Sequence, residues 1–215
     1  MIWLARHGET TWNLAGRYQG RLESSLSPLG VRQAAALAEH FAAQHQQGER
    51  VPTRILASPL GRCTQTARAA AQRLGLAVET DERLIEIAHG TWEGRLKSEL
   101  ARDDPERYVR WSDDPAHVEF PGGESLHDVA LRWYAAAADF TLLDARDTLV
   151  VTHDAVIRCA LLTARGRSFE HFWDVRVENG AYAVMDVDDG RLTVTRECVA
   201  DFLGDLRSRP ALQAL

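Results

Sequence analysis

The stretch that most constrains the fold is Ile2-Trp3-Leu4-Ala5, which runs without a break into Arg6-His7-Gly8-Glu9. Four successive apolar residues mark a short buried strand, and their abrupt end in a cation, an imidazole and a glycine sets those side chains at the strand's carboxyl end. Open α/β sheets hold their ligands at that edge. Two later runs repeat the pattern. Ile55-Leu56-Ala57 leads into Ser58-Pro59-Leu60-Gly61-Arg62, and Thr148-Leu149-Val150-Val151-Thr152 ends in His153-Asp154. In a mostly parallel sheet these three ends are neighbours.

Helical segments alternate with the runs. Ser27 reads as an N-cap with Pro28 at the first helical position, and Ala34, Leu37, Ala38, Phe41 and Ala42 then form one apolar face, leaving His40 and His45 to solvent. An alanine-rich helix follows Cys63-Thr64 and stops near Gly75, before a third strand at Ala77-Val78-Glu79-Thr80. Ser125 caps an amphipathic helix carrying Leu126, Val129, Ala130, Trp133, Ala137 and Phe140. Residues 155–163 read as a buried helix. Residues 180–187 and 192–195, joined by Asp188-Asp189-Gly190, read as a late antiparallel hairpin, and residues 207–215 as a loose tail. Residues 96–125 differ in character, being rich in Asp, Arg, Pro and Trp, with helix over roughly 96–112. They point to one domain spanning 1–215 with a lid-like insertion at about 90–125, whose Trp92, Trp111 and Phe120 either wall the site or pack a small core within the lid.

A formal net charge of −6 over 215 residues argues against a nucleic-acid or anionic-membrane partner. An anionic substrate must then be caught by a local cationic pocket. Cys63, Cys159 and Cys198 are odd in number and form no C-x-x-C pair, which suits a reducing compartment. The N-terminal apolar run meets Arg6 too soon for a signal or membrane segment, so a cytoplasmic protein is expected.

The strand ends carry two guanidinium groups, of Arg6 and Arg62, and two imidazoles, of His7 and His153. Guanidinium forks match phosphate oxygens. A neutral imidazole whose second nitrogen is pinned as a donor can attack phosphorus, and the flanking cations stabilise the charge on the transferring group without a metal. The leaving alkoxide needs a proton, and Glu86, between Leu84-Ile85 and Gly90, is the candidate acid. Taken singly, each of these residues has an ordinary structural reading. Their weight lies in the combination.

Arg6-His7-Gly8-Glu9-Thr10 with Trp12-Asn13 resembles the signature of the histidine phosphatase superfamily, the phosphoglycerate mutase-like proteins. Residues 16–20, 26–30, 58–67, 86–94 and 151–158 resemble the family's later blocks, in family order. Pro121-Gly122-Gly123-Glu124-Ser125 is similar to a segment of its phosphatase branch, which includes α-ribazole phosphatase and broad-specificity phosphatases. The resemblance implies a three-layer α/β/α sandwich around a mostly parallel sheet with an antiparallel edge strand. It implies that His7 becomes phosphohistidine, that Glu86 acts as acid and then base, and that Arg6, Arg62 and His153 cradle the phosphoryl group. Asn13, Gln19, Gly20 and Asp154 would contact the substrate; no cofactor or metal is implied. Two departures stand out. Asp154 occupies the place of the family's usual glycine, where its backbone N–H is expected to face the site, and Glu23 replaces an aspartate. A metal-independent phosphomonoester hydrolase, monomeric or homodimeric, is the expectation. The alternatives are a cofactor-dependent phosphoglycerate mutase and a non-catalytic phosphate-binding module.

Overall fold

Each apolar run of the sequence is a strand. The computed structural model describes residues 1–139, 146–188 and 190–208. Among them β1 (Ile2–Arg6), β2 (Arg54–Ala57), β3 (Val78–Thr80) and β4 (Thr148–Thr152) run parallel. β5 (Tyr182–Asp188) and β6 (Arg191–Val199) form an antiparallel hairpin on one side. The order is β3-β2-β4-β1-β5-β6, which seats β4 between β1 and β2. Val151 of β4 pairs with both Ala5 and Ala57, so the three strand ends are level and adjacent.

The two-residue period of the strands divides the interior into two cores. Ile2, Leu4, Leu56, Val150, Ala183 and Met185 face α6 (Leu126–Ala138) and α7 (Asp154–Ala164). Trp3, Ala5, Ile55, Ala57, Leu149, Val151, Tyr182 and Val184 face α2 (Pro28–Gln46) and α3 (Gly61–Leu74). The result is a three-layer α/β/α arrangement. Burial of each large apolar side chain stabilises it by about 1.5–3 kcal/mol. The short helix α1 (Thr11–Ala15) follows β1, and the Ser27 hydroxyl caps α2 by accepting from the Gly30 N–H at 3.0 Å, with Pro28 in the first turn.

The helical stretch within 96–112 is two helices, α4 (Lys97–Asp103) and α5 (Pro105–Asp113). Pro105 disfavours helical geometry at the residue before it, and Asp104 sits at φ −141°, ψ 55°. Trp92, Leu100, Trp111, Val118 and Phe120 are buried in the same core as α6 and α7, not in a small core of their own. Two further expectations change. His40 is not simply solvated, because its Nε2 lies 2.8 Å from the Tyr182 hydroxyl and its ring stacks on Phe202. The start of the tail is held, with Arg207 paired to Glu178 and the Ser208 hydroxyl accepting from Gln33 at 2.8 Å. Phe140, Asp189 and residues 209–215 lie outside the described residues. Among the described residues no helix is long and apolar enough to cross a membrane.

Candidate active site

His7 follows directly from β1 and is buried. Its Nδ1 lies 2.8 Å from the Gly8 carbonyl, which can only accept, so Nδ1 carries the proton and Nε2 keeps a free lone pair. Burial and then the Arg62 and Arg6 cations hold this imidazole well below the ordinary histidine value, against the pull of the Gly8 carbonyl. It is neutral at pH 7.

The strand end is gripped from several sides. The His7 N–H donates to the Thr152 carbonyl at 3.1 Å, the Gly8 N–H to Thr66 Oγ1 at 3.0 Å, and the Glu9 N–H to Gln33 Oε1 at 2.7 Å. Asn179 Nδ2 donates to the His7 carbonyl at 3.1 Å. A side chain at Gly30 would put its Cβ 1.9 Å from the Glu9 carbonyl oxygen, so glycine there lets α2 approach the strand end.

His153 occupies the N-cap position of α7, with ring centroids 5.2 Å from His7. Its Nε2 is 2.7 Å from the Ser58 hydroxyl and 3.4 Å from Cys63 Sγ. Burial, and then Arg62, keep it neutral as well. Arg62 sits in the first turn of α3 and turns inward, donating to the carbonyls of Leu22 at 2.9 Å and Gly20 at 2.7 Å. Glu23 accepts from the Gly61 N–H at 3.0 and 3.1 Å, so the aspartate-to-glutamate departure serves the first turn of α3.

Glu86 completes the group. It is 6% exposed, and its Oε1 accepts from the Ile87 N–H at 2.9 Å. Burial first, and the Asp154 charge second, push its carboxyl up to about 7, opposed by the Ile87 N–H and the arginines. A carboxyl able to hold a proton and an imidazole with a free lone pair therefore coexist near neutrality.

The remaining expected contacts divide in two. Asn13 Oδ1 accepts from the Thr10 N–H at 3.0 Å and from Thr10 Oγ1 at 3.1 Å, which frees the amide nitrogen. Gln19 Oε1 accepts from Thr10 and Ser24, bracing the loop, and the Gly20 carbonyl is taken by Arg62. Gly20 has φ +49°, and a Cβ there would lie 2.1 Å from Glu93 Oε1, so glycine is required.

Asp154 corrects the expectation that only its backbone matters. Its carboxylate is fully buried, with Oδ2 2.9 Å from Arg6 Nη1 and Oδ1 accepting from Arg158 Nε. Arg158 Nη1 also donates to the carbonyls of Phe172, at 3.0 Å, and Val175, and its guanidinium lies against the rings of Phe172 and Trp173. The buried anion is thus paired twice, which removes the desolvation objection to it.

Three buried N–H donors of this group have no acceptor among the described residues: Arg6 Nε, Arg62 Nε and Asn13 Nδ2. Donors left in this way are costly unless an acceptor arrives. Ser58, Thr66, Gln33 and Asn179 were not marked by sequence as part of the site, because each acts through space on a group far away in the chain. His89 is also buried, with both ring nitrogens unpartnered among the described residues. Burial, and secondarily Arg62, lower it to about 3.

The chain is similar to known proteins over most of its length. The chain is 34% identical over 203 residues to phosphoserine phosphatase 1 of Hydrogenobacter thermophilus, covering 94% of this chain and 93% of that one. It is 32% identical over 189 residues to a probable phosphoglycerate mutase, GpmB, of Yersinia pestis, covering 87% and 85%. The α-ribazole phosphatase from Shigella flexneri superposes with a TM-score of 0.80 at 27% identity, over 92% of this chain and 96% of that one. A model of the histidine phosphatase superfamily, branch 1, matches residues 2–199. The chain belongs to that superfamily.

Proposed function

We propose that the protein is a metal-independent phosphomonoester hydrolase working through a phosphohistidine on His7. The observation that carries this reading is the set of orphaned donors on Arg6, Arg62 and Asn13, grouped with a neutral imidazole whose Nδ1 is pinned. Such donors match the oxygens of a phosphoryl group. His7 Nε2 attacks phosphorus as the bond to the leaving oxygen breaks, and the Glu86 carboxyl gives that oxygen its proton. Water then attacks phosphorus as its bond to Nε2 breaks, the Glu86 carboxylate takes the water's proton, and His7 returns neutral with inorganic phosphate released. Arg6, Arg62 and His153 hold the phosphoryl oxygens throughout.

The same reading takes residues 1–215 as one domain with the 90–125 segment as a lid, a small-molecule phosphomonoester as the partner, and a cytoplasmic monomer or homodimer as the working form. Burial of Trp92, Trp111 and Phe120 in the main core supports the single domain, and the net charge of −6 supports a partner other than a nucleic acid.

The test is hydrolysis of p-nitrophenyl phosphate in EDTA beside a His7→Ala variant. Release by the wild type and none by the variant is expected, with alkaline quenching trapping phosphate on His7. EDTA-sensitive release, or equal release by both proteins, would overturn the mechanism. The identity to a probable phosphoglycerate mutase favours a second reading, that of a mutase. Isomerisation of 3-phosphoglycerate dependent on bisphosphoglycerate, faster than phosphate release, would establish it instead.

A further inference from the structure

The cations that meet the phosphoryl group are buried: Arg6 is 3% exposed and Arg62 1%. A third guanidinium near them is not. Arg62 holds the carbonyls of residues 20 and 22, so Arg21 stands on the tripeptide clamped by a phosphate-binding side chain. The Arg21 N–H donates to Glu93 Oε1 at 3.1 Å, and the same oxygen accepts from the His89 N–H at 3.0 Å. Its guanidinium reaches Glu124 Oε1 at 2.7 Å with the side chain 42% exposed. Glu124 Oε2 accepts from the Ala88 N–H at 3.0 Å, two residues past Glu86. Arg21 therefore spans the rim between the loop that holds the phosphate-binding arginine and the loop that carries the acid.

Its bond to Glu124 is replaceable. Glu124 also takes a two-pronged contact from Arg132, Nε at 3.1 Å and Nη2 at 3.2 Å, besides the Ala88 N–H. Release of Arg21 leaves that carboxylate with three donors, so the swing costs little. Proton donation by Glu86 would seat the leaving oxygen at the acid, and Arg21 is tied to the loop carrying that acid through Glu124 on the Ala88 N–H and Glu93 on the His89 N–H. In a protein of net charge −6, a half-exposed, replaceably paired guanidinium at that point is a receptor for a second anion.

Resting on the hydrolase reading, we propose that Arg21 selects phosphomonoesters whose leaving group carries a carboxylate, by leaving Glu124 to pair with that carboxylate. A guanidinium–carboxylate fork is directional and charge-assisted, whereas a hydroxymethyl group at the same place gains little from it.

The matched substrates 3-phosphoglycerate and glycerol 1-phosphate differ in this one group. In the wild type, kcat/KM is expected to favour the acid, and in Arg21→Gln the ratio of the two should fall by about 10- to 100-fold. Arg21→Lys should fall between. An independent measurement uses the wild type alone: 3-phosphoglycerate should compete with p-nitrophenyl phosphate at least about tenfold more strongly than glycerol 1-phosphate does. A wild type with no preference between the two, or a ratio unchanged in Arg21→Gln, overturns the proposal. Turnover of p-nitrophenyl phosphate that depends on His7 while either result is obtained leaves the hydrolase reading standing. Loss of that turnover in the wild type defeats both.

Discussion

Glu86 is the residue on which the proposed chemistry turns, because it must be protonated when His7 attacks. With its carboxyl raised to about 7, the rate with poor leaving groups should fall as the pH rises above about 7. His7, held below the ordinary histidine value, keeps its lone pair well below pH 6.5 and sets no limb in that range. Glu86→Gln should abolish the falling limb and cost roughly 10²–10⁴-fold on an alkyl phosphate, and far less on p-nitrophenyl phosphate. Equal losses on both substrates would remove Glu86 from the acid's role. Asp154 makes a second case. Asp154→Ala strands Arg6 and Arg158 without their buried partner and should destabilise the fold by about 3–5 kcal/mol. Adding Arg158→Leu should recover part of that loss, and strictly additive denaturation midpoints in the double-mutant cycle would argue against the pairing. The Asp154–Arg158 pair was legible in principle, since the two are four residues apart at the start of a helix, where opposite charges meet. Arg6 as its other partner was not, because that contact depends on β1 lying beside β4.

At the scale of elements, strands and helices were legible where a local period or cap defines them. β1, β2 and β4 are unbroken apolar runs, and α2 begins at a Ser-Pro pair. Strand order was not, for it depends on which faces bury against which helices and not on any one segment. The break between α4 and α5 could have been read from Pro105, yet the burial of Trp111 against Phe172 and Trp173 joins segments about sixty residues apart. His89 shows the cost of such a junction. Its ring packs edge-on to Phe120 at 4.8 Å and Tyr18 at 5.1 Å, with neither nitrogen partnered among the described residues. His89→Phe keeps the ring contacts and removes two unpaired polar atoms, so stability should rise by about 1 kcal/mol. A lower denaturation midpoint in urea would show that those nitrogens do useful bonding.

For the molecule as a whole, buried titratable groups set how stability depends on pH. His7, His89 and His153 are held below 6.5 in the folded chain, so near pH 5.5 the unfolded chain binds three protons that the folded one refuses. Glu86 works the other way: between 4.5 and about 7 only the folded chain keeps its proton. The unfolded state therefore binds about two more protons net near pH 5.5, where stability should drop by roughly 2–3 kcal/mol per unit as the pH falls, with a shallower slope toward pH 6.5. Urea midpoints taken across pH 5 to 7 measure this, and a flat profile would mean that the imidazoles are not held neutral. The grip of Arg62 on the carbonyls of Gly20 and Leu22 has a different consequence. Carbonyls are common to every residue, so positions 21 and 22 can exchange their side chains without loosening that hold. If Arg21 selects the leaving group as proposed, substitution in this loop should redirect substrate choice while the phosphoryl chemistry stays where it is, which makes the rim the place for selection in the laboratory to begin.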